Sequence, residues 1–381
     1  MPQSISRRRF AGLLGAGAVG MFGGVGGVGS AEPPAAPGAA PDLPEPEVAP
    51  GGRVRLSSNE NPYGPSPQAR KALEAALPLA WRYPDDELDA LADDLARKHG
   101  VERGQLLFGP GSSEILRLCA AAATGPGRPL VMADPTFEAL ARGARAAGAE
   151  VVKVPLTADF RHDLPKMLAA RKPAGLLYLC NPNNPTGSTT PKGEVRDFFD
   201  RLPAETMVLV DEAYFHFADG PDYESVIPQV AARPNLVVAR TFSKVYGLAG
   251  IRCGYAVAQA ATIDRLAAQQ AWDNVSIAAI ACCRAALADE AHVELCRKRL
   301  GEAKRRTVAA LAEMGLATIP SQTNFFMTDL KREVKPVIEG LRARGVDVGR
   351  VFPALPHHLR VTVGTGAQME RFLAAFRQVM A

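Results

Sequence analysis

Beyond about residue 104, short apolar runs alternate along the chain with longer amphipathic segments. Several runs are apolar at every position, as expected for strands that helices cover on both faces. The predicted strands are 129–134, 150–154, 174–180, 207–211, 235–240 and 254–258. The predicted helices between them are 138–147, 163–171 and 192–202. This alternation predicts an α/β fold with a mostly parallel sheet.

After residue 258 the pattern becomes mainly helical. Residues 262–271, 276–290 and 292–314 have helical periodicity, and the last segment is long enough to connect two domains. The elements predicted after it are a strand at 324–330, a helix at 333–344, a strand at 359–363 and a helix at 367–380. This order predicts a second, smaller α+β unit.

The first 52 residues differ in composition from the rest of the chain. Arg7-Arg8-Arg9 precede Phe10 and a weakly apolar run that ends at Ser30-Ala31. A basic start, an apolar middle and a small-residue end are typical of a secretory signal, and the arginine pair resembles a twin-arginine (Tat) signal. The alternatives are a membrane helix or a flexible basic tail, but nine glycines between residues 11 and 29 disfavour a helix in lipid.

We therefore expect residues 1–31 to be a Tat signal peptide and 32–52 to be a disordered arm rich in proline and alanine. This predicts a periplasmic or secreted protein, or a cytoplasmic one if the leader is not processed. No later stretch approaches ~18 apolar residues, so we expect no stable membrane anchor.

Charge and cysteine content exclude several classes of protein. The 381 residues include 44 Lys and Arg and 40 Asp and Glu, and without the three leader arginines these numbers are 41 and 40. Such a balance does not favour nucleic-acid binding. The six cysteines show no metal-binding spacing and lie mostly in apolar runs, so we expect buried small hydrophobes and no metal site.

The strongest chemical signal follows a predicted strand. Lys244 stands in Thr241-Phe-Ser-Lys and precedes Gly250-Ile-Arg252. Partial burial and a neighbouring cation lower the pKa of a lysine, which can then form a Schiff base near neutral pH. A Ser-x-Lys pair is common, however, and by itself this motif is more simply interpreted as a solvated surface lysine.

Three further motifs carry candidate chemistry: the first two end predicted strands, where an open α/β sheet binds ligands, and the third precedes a helical pattern at 115–123. They are Asn181-Pro-Asn-Asn184-Pro-Thr-Gly187, Asp211-Glu-Ala-Tyr214 and Gly109-Pro-Gly111-Ser112-Ser113. An acid there can pair with a protonated ring nitrogen, an amide and a phenol can bind a ring oxygen, and the amides at a helix start can bind an anion. Taken singly, each motif is also compatible with a turn or a helix cap.

Together and in this order, the motifs resemble those of the fold-type I pyridoxal 5'-phosphate (PLP) aminotransferases, especially the histidinol-phosphate aminotransferase branch. Residues 57–64, 82–85 and 359–365 add to this resemblance, which covers about residues 53–381. It implies an aspartate aminotransferase-like architecture, with a sheet of the seven-stranded, mostly parallel type between helices and a smaller α+β domain. The implied parts are a joining segment at 53–80, a PLP-binding domain at 81–290 and a small domain at 291–381.

The resemblance implies roles for the matched residues. Lys244 would be the Schiff-base lysine and proton shuttle, Asp211 would hold the pyridinium proton, and Asn184 and Tyr214 would contact the ring hydroxyl oxygen. Phe137 would stack on the ring, where the branch usually has tyrosine. The residues implied for the cofactor phosphate are Ser112, Ser113, Thr241, Arg252 and, from the partner subunit, Tyr83. A shared site of this kind implies a homodimer.

Substrate recognition stays open at this point. Arg360 resembles the guanidinium that binds the substrate's anionic group, and its planar fork suits a carboxylate or a phosphate. Tyr63, Asn324 and Arg350 align with the same region, although Arg350 is also compatible with a solvated position. The amino donor is histidinol phosphate or an α-amino acid, and the acceptor is a 2-oxo acid such as 2-oxoglutarate.

Two other functions compete with the aminotransferase. The same lysine and aspartate would serve a decarboxylase of the threonine-phosphate decarboxylase type. A non-catalytic exported ligand-binding protein is the alternative outside enzymes, but it has no use for Lys244 beside Asp211 and Tyr214. A PLP-binding transcription regulator needs a DNA-binding domain, which the first 52 residues do not provide.

Overall fold

A computed structural model describes residues 52–170 and 174–381. The predicted leader, all but the last residue of the predicted arm at 32–52, and the last residue of the predicted helix 163–171 lie outside the described residues. The strands are β1 (Val54–Leu56), β2 (Leu106–Gly109), β3 (Leu130–Asp134), β4 (Val151–Pro155), β5 (Leu176–Cys180), β6 (Met207–Asp211), β7 (Leu236–Thr241), β8 (Gly254–Ala258), β9 (Phe325–Asp329), β10 (Val346–Val348) and β11 (His358–Thr362). The α-helices are α1 (Pro67–Ala76), α2 (Asp85–His99), α3 (Ser112–Ala123), α4 (Ala139–Ala146), α5 (Leu164–Ala170), α6 (Lys192–Asp200), α7 (Ala260–Ala267), α8 (Ile277–Ala288), α9 (Glu290–Glu313), α10 (Val334–Ala343) and α11 (Gly366–Met380).

Seven strands form one sheet in the order β2-β8-β7-β6-β5-β3-β4. Strands β3 to β7 are parallel to one another, whereas β8 runs antiparallel to both of its neighbours, β2 and β7. The predicted α/β fold with a mostly parallel sheet is therefore confirmed. Because β5, β6 and β7 are adjacent and parallel, their carboxyl ends meet at one edge.

Both faces of this sheet are buried. In β5, Leu176, Tyr178 and Cys180 pack on the face that carries α3, α4 and α7. Leu177 and Leu179 pack on the opposite face, against α2, α6 and α8. Each fully buried leucine contributes roughly 1.5–3 kcal/mol of transfer free energy, so a slip of one residue in register would be costly. The strand ends are thus held in fixed positions.

A second core contains the two smaller sheets. Strand β1 pairs in parallel with β10, and β9 pairs antiparallel with β11. Helices α10 and α11 cover them, and Phe372 and Phe376 of α11 are fully buried. The pairing of Val54 with Val346 ties the start of the described chain to its C-terminal part. The boundaries 53–80, 81–290 and 291–381 stay a prediction.

Two further observations concern the cysteines and the length and hydropathy of the helices. All six cysteines are buried, as the sequence predicts, and they are free thiols. Among the residues of the described ranges, none of the helices is both long and apolar enough to span a bilayer.

Candidate active site

A cavity of about 390 Å³ opens at the carboxyl ends of the central parallel strands. The last residues of β5, β6 and β7, which are Cys180, Asp211 and Thr241, all line it. The predicted site residues in its lining are Ser112, Ser113, Phe137, Asn184, Asp211, Tyr214, Thr241, Lys244, Arg252, Arg350 and Arg360. The fold thus brings into one cavity motifs that are far apart in sequence.

Lys244 lies in the turn that follows β7 and is partly buried. Its Nζ donates a hydrogen bond to the Ser58 carbonyl oxygen at 3.4 Å and lies 5.5 Å from the centre of the Tyr214 ring. Burial, and next the charge of Arg360, lower the pKa of Lys244 to about 8, while Glu60 and Asp211 oppose the shift. A substantial fraction of the amine is therefore neutral and nucleophilic near pH 8.

Asp211 is 3% exposed and holds a carboxylate at the floor of the cavity. Its Oδ2 accepts a hydrogen bond from Tyr178 Oη at 3.0 Å, and its Oδ1 accepts one from the Ala213 backbone N–H at 3.1 Å. Burial raises the pKa of Asp211 to about 6, although these two donors lower it. A buried carboxylate of this kind is stabilised by a cationic partner, and a protonated ring nitrogen would be one.

Arg360 reaches from β11 to the opposite wall of the cavity. Its Nη1 donates to Asn184 Oδ1 at 2.8 Å and its Nη2 to the Ser57 carbonyl oxygen at 2.7 Å. Its buried Nε has no hydrogen-bond partner among the described residues. Burial lowers the pKa of Arg360, but a guanidinium stays charged at neutral pH. The two terminal nitrogens each make one hydrogen bond within the described residues, so the side chain keeps further N–H donors and a positive charge that suit an anionic ligand.

The start of α3 forms an anion cradle. Ser112 and Ser113 are its first two residues, and no side chain caps the helix. Gly111, which precedes them, has a φ of 89°, and a Cβ on it would lie 2.3 Å from Arg252 Nη2. Only glycine therefore lets this guanidinium lie against the backbone at the helix start. Free amides, two hydroxyls and a guanidinium are groups that bind a phosphate.

An ion pair lies at the mouth of the cavity. Arg350 Nη2 lies 2.5 Å from Glu138 Oε2, and both side chains are about half exposed. The guanidinium also lies 4.4 Å from the centre of the Phe352 ring. Arg350 therefore lines the cavity and has an acidic partner, while about half of its side chain stays exposed to solvent.

Three predicted site residues do not line this cavity. Tyr63 lines a separate hollow of about 260 Å³, where the Arg299 guanidinium lies 5.7 Å from its ring centre. Asn324 lies behind the wall, because its Nδ2 donates to the Asn59 carbonyl oxygen at 3.1 Å. Tyr83 is on the surface, 61% exposed. Within one chain, then, Asn324 supports the site, while Tyr63 and Tyr83 lie apart from it.

The cavity also contains residues for which the sequence analysis predicted no role. They are Ser57, Ser58, Asn59, Thr136, Glu138, Cys180, Ala213, Ser243, Ala249 and Phe352. Four of them, Thr136, Glu138, Ala213 and Ser243, are direct neighbours of predicted site residues in the sequence. Ser57, Ser58 and Asn59 belong to the segment 57–64, which was noted only for its resemblance to the family. Phe352 carried no signal beyond its place near Arg350.

The chemical groups that line this cavity fit the different parts of PLP. The uncapped α3 start with Arg252 matches a phosphate, the buried Asp211 matches a ring cation, and Lys244 offers a partly neutral amine. These three features surround one cavity of a volume typical of small-molecule sites. The site therefore has the features of a PLP-dependent enzyme that acts on amines.

Comparison with known proteins agrees with this class. Residues 52–376 match the family "Aminotransferase class I and II", and the chain belongs to that family. It is a PLP-dependent aminotransferase, as the sequence predicted.

Within the family, the chain is 40% identical over 332 residues to the histidinol-phosphate aminotransferase of Moorella thermoacetica, with 86% of each chain covered. Its structure matches the histidinol-phosphate aminotransferase of Sinorhizobium meliloti, solved in complex with pyridoxal-5'-phosphate. That match has a TM-score of 0.82 and 31% identity, and it covers 86% of this chain and 90% of the other. The predicted likeness to the histidinol-phosphate aminotransferase branch is therefore confirmed.

Proposed function

We propose that this chain transfers the amino group of histidinol phosphate to a 2-oxo acid such as 2-oxoglutarate. The observation that carries the proposal is the presence of the Arg360 guanidinium in the same cavity as Lys244 and Asp211. The name of the Moorella thermoacetica relative supports histidinol phosphate as the donor. An α-amino acid is the other donor that suits this arginine, through its carboxylate.

The residues that line the cavity would each have a separate role toward the cofactor. When bound, PLP supplies an electron-withdrawing ring that stabilises negative charge at the substrate α-carbon. Asp211 would hold the proton on the ring nitrogen, and Asn184 and Tyr214 would contact the ring oxygen. Phe137 would cover the ring face. The residues that would hold the phosphate are Ser112, Ser113, Thr241 and Arg252.

Lys244 would move the proton of the reaction. Its Nζ would take up the proton of the substrate α-carbon as a general base and return it as a general acid. A pKa of about 8 suits an amine that must accept and return a proton near neutral pH. Arg360 holds the anionic end of the substrate and so fixes the direction of the α-carbon.

We expect Arg360→Ala to lower kcat/KM for the true donor about 30- to 1000-fold. This corresponds to the roughly 2–4 kcal/mol that one buried, charge-assisted contact contributes. Arg360→Lys keeps the charge but loses the planar fork, so its loss should be smaller. The measurement is a donor screen with 2-oxoglutarate as acceptor, comparing histidinol phosphate with aromatic and other α-amino acids. Unchanged kinetics of Arg360→Ala with every donor would contradict this role.

The decarboxylase alternative has weaker support. The L-threonine-O-3-phosphate decarboxylase of Porphyromonas gingivalis matches with a TM-score of 0.75 at 24% identity, which shows a shared fold alone. In the donor screen, an amine product formed without a 2-oxo acid would select this alternative.

We also propose a homodimer with shared active sites. Apolar side chains are exposed along the segment before α2 and in one loop near α8, namely Leu77, Leu79, Trp81, Tyr83 and Trp272. Aromatic residues exposed in this way are enriched in protein interfaces. The separation of Tyr83 from its own chain's cavity agrees with a contribution to the partner's site.

Subunit mixing tests this proposal. Lys244→Ala and Tyr83→Ala subunits, each impaired alone, should regain roughly a quarter of wild-type activity after mixing, because half of the dimers are hybrids with one intact site. The measurement is turnover after dissociation and reassociation, with each variant treated alone as the control. An active enzyme that sediments as a monomer would contradict the shared site.

For the leader we propose Tat-dependent export. The proposal is supported by Arg7-Arg8-Arg9, the glycine-rich apolar run and Ser30-Ala31. Cell fractionation of the full chain, compared with an Arg7→Lys, Arg8→Lys, Arg9→Lys variant, tests it. Equal distribution of the two proteins between cytoplasm and periplasm would refute export by this route.

A further inference from the structure

The phenol of Tyr214 accepts hydrogen bonds from two amides. Asn59 Nδ2 donates to Tyr214 Oη at 3.0 Å, and Asn184 Nδ2 donates to the same oxygen at 3.3 Å. All three side chains are buried. A phenol oxygen that accepts two hydrogen bonds has one polar group left, which is its own hydrogen.

The partners of the two amides determine which way each amide faces. Arg360 has only donors, so Asn184 must turn its oxygen toward Arg360 and its NH₂ toward Tyr214. Asn59 Oδ1 accepts from Thr362 Oγ1 at 3.1 Å, while that hydroxyl accepts the Asn59 backbone N–H at 2.9 Å. The NH₂ of Asn59 is therefore also directed at Tyr214.

Asn59 is held in place by the C-terminal part of the chain. Its φ is 55°, in the left-handed region that residues other than glycine seldom adopt. Thr362 at the end of β11 binds its backbone and side chain, and Asn324 Nδ2 donates to its carbonyl oxygen. Contacts on both its backbone and its side chain therefore stabilise the unusual conformation.

We propose that Asn59 is a positioning residue for the reaction. By donating to Tyr214 Oη, Asn59 leaves the phenol hydrogen without a protein acceptor on that side. The hydrogen then points into the cavity, toward the ring oxygen of the cofactor. The inference rests on the proposed function, in which Tyr214 contacts that oxygen. Without a donor at residue 59, the phenol is free to direct its hydrogen elsewhere.

The direction of the Tyr214 phenol hydrogen affects the charge of the bound cofactor. A hydrogen bond from Tyr214 to the ring oxygen draws negative charge away from the ring and disfavours the proton on the Lys244 nitrogen joined to it. When the phenol turns away, that nitrogen keeps its proton to a higher pH. The change can be followed by titrating the visible absorbance of the PLP-loaded enzyme, independently of turnover.

We expect Asn59→Asp to raise the midpoint of this absorbance titration by about one pH unit. Aspartate has nearly the same size and tolerates positive φ, but it presents an acceptor where asparagine presents a donor. Tyr214 then donates to residue 59. Asn59→Gly, which fits the same backbone and adds no charge, should shift the midpoint in the same direction by less.

Asn61→Asp is the matched control. Asn61 is also buried, and its Nδ2 donates to the Val245 carbonyl oxygen at 2.7 Å. Aspartate at residue 61 should lower the melting temperature, because it places a carboxylate oxygen against the Val245 carbonyl oxygen. It should leave the midpoint of the absorbance titration unshifted. A shift equal to that of Asn59→Asp would mean that the segment matters only structurally, which would overturn the proposal.

The Tyr214→Phe background separates hydrogen-bond direction from charge. In that background Asn59→Asp should cause no further shift, because the phenol that carries the effect is gone. A full shift that persists there would assign the effect to the added charge and overturn the proposal. If Tyr214→Phe alone leaves the midpoint unchanged, the proposed place of the ring oxygen is wrong. If Tyr214→Phe shifts it but neither Asn59 variant does, only the role of Asn59 is wrong.

Discussion

We expect Lys244→Ala to lower kcat/KM by at least about 10⁴-fold and to remove the visible absorbance of the purified enzyme. The substitution removes both the amine that binds the cofactor and the base that moves the proton. A guanidinium does not compensate for this loss, because it does not give up its proton at neutral pH and so cannot act as the base. The measurements are the absorbance spectrum after reconstitution with PLP and the initial rate of transamination.

Lys304→Ala is the matched control for that variant. The pKa of Lys304 is also lowered to about 8 by burial, but its Nζ donates to the Ser321 and Thr323 carbonyl oxygens in a different cavity. This variant should lose stability and keep the colour of the bound cofactor. Wild-type turnover in Lys244→Ala would end the assignment of the active site.

Asp211→Asn should leave PLP bound and lower kcat about 10³-fold. The amide keeps the shape of the side chain, but it cannot hold a proton on the ring nitrogen, and removal of one well-placed group of this type costs about 10²–10³ in rate. Cofactor affinity is measured by fluorescence and turnover by the same assay. Retention of turnover within a few-fold would show that Asp211 is only structural.

Asp134→Asn is the corresponding control. Asp134 is the last residue of β3, just as Asp211 is the last residue of β6, and both strands belong to the same sheet. Unlike Asp211, Asp134 is paired with Lys153 Nζ at 3.0 Å and does not line the cavity. Surface pairs of this kind contribute little, so kcat should change by no more than about twofold. The contrast between the two aspartates separates catalysis from a general effect of charge removal at strand ends.

The central strands of the sheet were predictable because both of their faces are buried. The run that became β5 is apolar at every position, and the run that became β6 is apolar up to its last residue, Asp211; predicted and observed ranges nearly coincide. Strands β1 and β10 were missed, because each has three residues and is stabilised by a partner almost 300 positions away. Strand β2 was missed as well, since it has only four residues and pairs with the distant β8. Helix α2 was also missed, since charged residues outnumber its buried residues, Leu91, Ala92 and Leu95.

Site residues were predictable where they belong to a sequence motif. They were not predictable where their role depends on backbone geometry. Lys244, Asp211 and Arg360 were identified from their neighbours in sequence, and they meet in one cavity. The φ of Asn59 depends on contacts with Thr362, more than 300 residues away, and no local pattern encodes it. Tyr178 belonged to an apolar run and was predicted only as part of a strand, yet its hydroxyl binds Asp211.

The position of the tryptophans has a consequence for spectroscopy. The chain has two, Trp81 and Trp272, and they are 80% and 75% exposed. Their intrinsic fluorescence therefore reports on the surface of a subunit rather than on its core. Association that covers the indoles changes the emission, whereas melting of the isolated subunit changes it little. Fluorescence and circular dichroism should then give unfolding curves that do not coincide, and the free energy of unfolding must be taken from the backbone signal.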